Sequence, residues 1–247
     1  GIALALLVLP ALAATGGLEL ARAAVLFTIA VGLILFGLVY SAPAQAVSAE
    51  TGIRVHRLPA FALFLSGMIW ALYNTALAMV FSFGPALLNQ RGWALTTASS
   101  ATSVFMIVIT ISVPFGGLLA DRTGRRDTVI MVSLLSYALL LPLALYVPSW
   151  AVPVIFVVVG LVFGLGAGPI VTLPSLILRP EARAFGMGIF YSIYYGVMMA
   201  APTIAGGMAD RAGSAGVAFI LGALMLVVCM VALGLFRRVT AAPSPAE

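Results

Sequence analysis

The chain has 247 residues, 63% hydrophobic and 8% charged, with a mean hydropathy of +1.21 and a formal net charge of +5. A soluble domain of this length needs far more polar surface, so that class is excluded. The basic balance does not point to nucleic acid either, because the twelve basic residues, all arginines, are scattered along the chain and not gathered on one soluble face.

Taken in chain order, charged side chains punctuate long runs that hold none. A helix needs about 20 apolar residues to cross a bilayer. The apolar stretch from Gly1 to about Ala14 reads as the tail of a span. It has no initiator Met and no basic flank, which suits a truncated segment better than a secretory signal, so the sequence is expected to lack its N-terminal part. A complete span is expected at 21–42, with Glu19 and Arg22 marking its start, followed by a linker at 43–58 that carries Glu50, Arg54, His56 and Arg57. Further spans are expected at 59–84 and 95–118, with Arg91 between them. The charge-free run 128–178 is long enough for two spans, 128–147 and 151–175, and Tyr146-Val-Pro-Ser-Trp150 supplies the turn inside it. Spans at 185–207 and 214–236 follow, and 239–247 is expected as a disordered tail. The fold class is therefore an all-α polytopic membrane protein with seven full transmembrane helices and a partial one.

Arginine placement orients this zigzag. Arg54 and Arg57, then Arg122, Arg125 and Arg126, then Arg179 and Arg183, and finally Arg237 and Arg238 fall on alternate turns. The turns between them hold only Arg22, Arg91 and Arg211. Basic residues are retained inside the cell, so the linker, the turn at 121–126 and the C-terminus are expected to be cytoplasmic. Trp93 and Trp150 fall at external boundaries, where amphipathic rings favour the headgroup region; Trp70 falls at mid-span. The lone Cys229 reads as a small membrane-buried residue. No cluster of Cys and His suggests a metal, and no cofactor is expected.

Ten residues, Gly117-Leu-Leu-Ala-Asp-Arg-Thr-Gly-Arg-Arg126, pack four charges between two apolar runs. An ion at the bilayer centre costs at least ~3 kcal/mol, so this stretch must turn at a membrane surface. The pattern closely resembles the signature loop of the major facilitator superfamily of secondary transporters. A weaker echo, Gly206-Gly-Met-Ala-Asp-Arg-Ala-Gly213, and the run Arg183-Ala-Phe-Gly-Met-Gly188 are also similar to the family. The resemblance implies two six-helix halves joined by a cytoplasmic linker. Residues 1–42 would be the end of the N-terminal half, with partial helix five and helix six, and 59–238 the C-terminal half, helices seven to twelve. It further implies that Gly117, Asp121, Arg122, Gly124, Arg125 and Arg126 form a conformational gate, with Asp121 meeting the helix-five region. Gly117 and Gly124 would give the turn its permissive backbone.

Inside the spans, Asn74 is the only side-chain amide at depth, and Trp70, Tyr73, Asn74 and Leu77 share a helical face by three- and four-residue spacing. Transporters of this type place substrate contacts on such a mid-membrane face. Tyr194 and Tyr195 form a comparable stripe with Tyr191 and Met198, and one of the two is expected to face the cavity. Gly160, Gly164 and Gly168, like Ser99, Ser103 and Thr110, are small residues at packing intervals, and Pro114, Pro142, Pro174 and Pro202 are placed to kink spans.

The functional expectation is a secondary active or facilitative transporter of a small organic solute, working by alternating access. The alternative is a transporter-like receptor or channel without a carrier cycle. An intramembrane enzyme is rejected, because His56 is the sole histidine and Asp121, Asp127 and Asp210 all sit at surfaces, leaving no catalytic residue to name. With no buried carboxylate in these spans, proton coupling, where present, is assigned to the missing N-terminal helices. The solute is expected to be neutral, amphipathic or weakly charged, the protein a monomer, and its other partner the lipid bilayer. The absence of lysine beside abundant Ala, Gly and Arg suggests a bacterial inner membrane.

Overall fold

The computed structural model describes residues 2–40 and 59–241; the linker 43–58 and the last six residues of the expected tail lie outside them. The described residues hold seven helices long and apolar enough to cross a membrane, and no strand. In hydrocarbon every backbone N–H and C=O must bond within its own segment, and helices achieve this.

Helix α1 runs Ile2–Val39 and breaks at Gly17, whose φ of 74° favours glycine. The residues expected in two successive helices thus form two arms joined at one glycine. Leu9, Pro10 and Ala13 of the first arm and Ala21, Val25 and Leu26 of the second line a common hollow with Leu95. The six following helices are α2 (Ala60–Gln90), α3 (Leu95–Thr123), α4 (Arg126–Tyr146), α5 (Val152–Val171), α6 (Arg183–Ala212) and α7 (Gly216–Ala241). A single 3-10 turn at Ser149–Ala151 joins α4 to α5, and two more, Leu173–Leu176 and Pro180–Ala182, join α5 to α6. Helix α7 continues to Ala241, three residues into the expected tail.

Helix α2 is the hub and packs against α3, α5, α6 and α7, so most of its circumference is buried. The core is aromatic: Phe156 of α5 stacks on Phe219 of α7 (6.0 Å, 8°) and lies 6.3 Å from Phe105 of α3. Helices α3 and α5 meet along glycine. A Cβ on Gly160 would lie 3.0 Å from the Phe105 carbonyl oxygen, and one on Gly168 would lie 3.1 Å from the Gly117 backbone. A Cβ on Gly164 or Gly116 would strike Ser112 or the Gly164–Leu165 backbone respectively. The small residues of α5 therefore set backbone against backbone. The Ser112 hydroxyl crosses the same seam to donate to the Leu161 carbonyl at 2.6 Å. Ser99 and Ser103 are buried, whereas Thr110 is exposed and bonds back to Met106 of its own helix.

The zigzag has two distinct ends. At one, the Arg91 guanidinium beyond α2 donates to the Leu145 (2.7 Å) and Val147 (3.1 Å) carbonyls at the end of α4, and the Ala215 N–H donates to Gln90 (3.0 Å). At the other, Asp127 opening α4 pairs with Arg237 closing α7. Arg91 and Arg125 therefore lie at opposite ends of the bundle.

Candidate functional site

The turn at 121–126 is tighter than a loop. Helix α3 continues through Asp121 and Arg122 to Thr123, Gly124 caps it in the left-handed region (φ 65°), and α4 begins at Arg126. The permissive backbone thus falls on Gly124 alone. Gly117 is a helical residue two turns earlier whose backbone lies against Gly168, which corrects its expected place in the turn. The Arg126 guanidinium donates to the Asp121 carboxylate at 2.7 Å, and Arg122 and Arg125 are exposed without an ion pair among the described residues. Helix α6 ends in the same way: Asp210 and Arg211 occupy its last turn and Gly213 (φ 64°) caps it.

The expected substrate residues separate into two groups. Trp70 of α2 lies 6.1 Å from Tyr194 of α6, whose ring is 4.7 Å from Tyr195 and 6.3 Å from Tyr191. Tyr195 is 59% exposed on the open side of α6, and Tyr194 is half-buried behind it. Asn74, one turn along α2 from Trp70, is 6% exposed, and its amide N–H donates to the Trp70 carbonyl at 2.8 Å. Its amide oxygen accepts nothing from the described residues, and the hydroxyls of Tyr191, Tyr194 and Tyr195 bond to none of them. These side chains form one aromatic and amide face across α2 and α6.

Tyr73 belongs elsewhere. It is wholly buried on the other side of α2, stacked on Phe163 of α5 (4.5 Å, 14°) and edge-on to Tyr137 of α4. Its hydroxyl donates to the Phe163 carbonyl at 2.6 Å and lies 2.8 Å from Ser133 Oγ, which donates in turn to the Val162 carbonyl at 2.7 Å. Tyr73 is a packing residue of the α2–α4–α5 core and not the cavity residue its spacing suggested. Residue spacing carried no sign of Ser133, Tyr137 and Phe163 as its partners, since all three lie on other helices. The pairing of Asp127 with Arg237 was within reach, because the arginine tally puts both on one side of the membrane.

Among the described residues no group of His, Cys, Asp or Glu could hold a metal ion. The model of the Major Facilitator Superfamily matches residues 59–247 of the chain, from just before α2 to the C-terminus. The chain belongs to the Major Facilitator Superfamily. It is a multi-pass membrane protein and a transporter of the major facilitator type, and its six helices α2–α7 make up nearly all of the matched region. No curated protein matches the chain closely enough to be set beside it.

Proposed function

We propose that this superfamily member carries a small neutral, amphipathic or weakly charged organic solute across the membrane by alternating access, and that Trp70, Asn74, Tyr194 and Tyr195 contact it. The observation that carries this reading is the aromatic and amide face shared by α2 and α6, on which the Asn74 amide oxygen and the tyrosine hydroxyls make no hydrogen bond to the described residues. Rings offer a solute apolar area and stacking, and the free amide oxygen and phenol hydroxyls offer hydrogen bonds that water or solute must satisfy. No ionisable acid or base lies at mid-span, so the face provides no counter-ion for a strongly charged cargo.

The signature turn acts in this scheme as a conformational bias. An ion pair made in one state and broken in the other shifts the equilibrium by its differential stability. The Asp121–Arg126 pair is exposed, so it is available to exchange partners. The arginine tally supports a cytoplasmic turn and C-terminus, and the composition supports a bacterial inner membrane. The linker and the two halves are those the resemblance implies; the monomeric state and the assignment of any proton coupling to the N-terminal half belong to the same proposal.

Uptake into vesicles holding the purified full-length protein tests the reading. A carrier gives saturable uptake with counterflow; binding without flux would make the protein a receptor. Asn74→Leu is expected to raise KM about 3- to 10-fold, the worth of one or so hydrogen bonds, with normal membrane insertion. Unchanged KM and kcat in that variant would remove Asn74 from the site.

A further inference from the structure

The turn at 121–126 stands over a second feature, one that substrate handling does not use. A cleft of about 210 Å³ opens between Leu119 of α3, Thr128, Val129 and Val132 of α4, and Val162 and Leu165 of α5. Its mouth is beside the arginines: Leu119 is one turn from the end of α3, and Thr128 is in the first turn of α4. Its lining continues along α4 to Ser136, a depth of about 12 Å at 1.5 Å per residue. The walls are almost entirely apolar, the Ser133 hydroxyl being taken up by Val162 and Tyr73. Val132 on the rim is more than half exposed, so the cleft opens sideways toward the bilayer.

Charge at the mouth is unbalanced. Asp121 and Asp127 are committed to Arg126 and Arg237, while Arg122 and Arg125 are exposed with no ion pair among the described residues, and Arg238 follows Arg237 at the end of α7. Guanidinium groups bind phosphate oxygens in a planar fork, and bound water is easily displaced from them. A soluble anion could answer the arginines but would leave the cleft unfilled. An acyl chain could fill the cleft but would leave the positive charge unanswered. One molecule satisfies both, and the surrounding bilayer supplies it.

We propose that an anionic glycerophospholipid binds here, its phosphate on Arg122 and Arg125 and one acyl chain in the α3–α4–α5 cleft. Such a lipid ties the ends of α3 and α4 to the bilayer at the turn where Asp121 and Arg126 are paired. Occupancy then biases the gate by lipid composition, through charge at one end and apolar packing beneath it.

The test uses the full-length protein, loaded in mixed micelles with phosphatidylglycerol or phosphatidylcholine of identical chains and analysed for retained lipid by native mass spectrometry. Wild type is expected to retain one phosphatidylglycerol about tenfold over phosphatidylcholine. Arg122→Gln with Arg125→Gln should abolish the preference, and Val132→Trp, which blocks the cleft, should abolish retention. Arg211→Gln, at the opposite end, should do neither. Equal retention of the two lipids by wild type overturns the proposal, as does wild-type retention in either variant. So does displacement of the lipid by millimolar glycerol phosphate, which would mark a site for soluble anions. Should either variant not remain monodisperse, Val129→Phe closes the same cleft from the neighbouring turn; it too should abolish retention, and wild-type retention there overturns the proposal equally.

Discussion

Gly166→Ala puts the α2–α4–α5 core to a sharp test. An alanine Cβ at this position of α5 would lie 2.5 Å from both the Tyr73 hydroxyl and Ser133 Oγ, and 2.9 Å from Ser133 Cβ. Neither group can step aside freely. The Tyr73 ring is held between Phe163 and Tyr137, and both hydroxyls are fixed on α5 carbonyls at 2.6 and 2.7 Å. Displacing them leaves two buried hydroxyls short of partners, at about 1–3 kcal/mol each. Overpacking adds about 1–3 kcal/mol, and the better helix propensity of alanine returns about 1 kcal/mol. The net is a loss of about 5 kcal/mol, which at roughly 2–4 °C per kcal/mol for a chain of this size lowers Tm by about 10–20 °C. Fluorescence-detected melting of the full-length protein in detergent reads this out. Gly188→Ala serves as the control, since nothing lies within 4 Å of its added methyl. Adding Ser133→Ala to Gly166→Ala should recover part of the loss. A Gly166→Ala protein that melts within about 2 °C of wild type would refute the packing described for this core.

Three further substitutions probe other contacts. Tyr137→Phe removes a buried hydroxyl that has no hydrogen-bond partner among the described residues, so stability should hold or rise by up to about 1 kcal/mol; a marked fall in Tm would mean that the hydroxyl is satisfied. Arg91→Gln loses two charge-assisted bonds to the last carbonyls of α4, and partial exposure discounts them to about 1–2 kcal/mol together, again measured by melting. Asp121→Asn breaks an exposed ion pair worth at most about 1 kcal/mol, so Tm should barely move while transport falls, by tenfold or so if the turn biases alternating access; equal rates would reduce Asp121 to a boundary marker.

The spans were legible because the bilayer is an unforgiving solvent: a run without charge must cross it, and a cluster of charges must not. Even the turn inside 128–178 fell where Tyr146, Pro148 and Trp150 indicated it. Helix ends were less legible. Helix α2 runs through Pro85 to Gln90 and α6 to Ala212, beyond the hydropathic edges, because a helix keeps its hydrogen bonds into the headgroup region where composition no longer marks it. The Tyr73 assignment failed for a related reason. Helical spacing separates faces only when one of them is polar, and α2 is apolar and buried nearly all round, so the pattern could not tell its cavity side from its core side. Trp70 and Asn74 stayed together because they are one turn apart, whereas Tyr73 is rotated from Asn74 by about 100°. Which carbonyl or ring an α2 side chain meets depends on the helices that surround it, and the sequence of α2 does not contain that information.

The glycine contact between α3 and α5 bears on how such a protein can move. Two helices that meet along glycine leave few side-chain rotamers to rearrange between them, and the Ser112 bond to Leu161 spans the same contact. They are locked like two planks glued edge to edge. Whatever tilts during a cycle must tilt them as one stiff lever, with the flexing left to its ends at Gly124 and in the 3-10 turns after Val171.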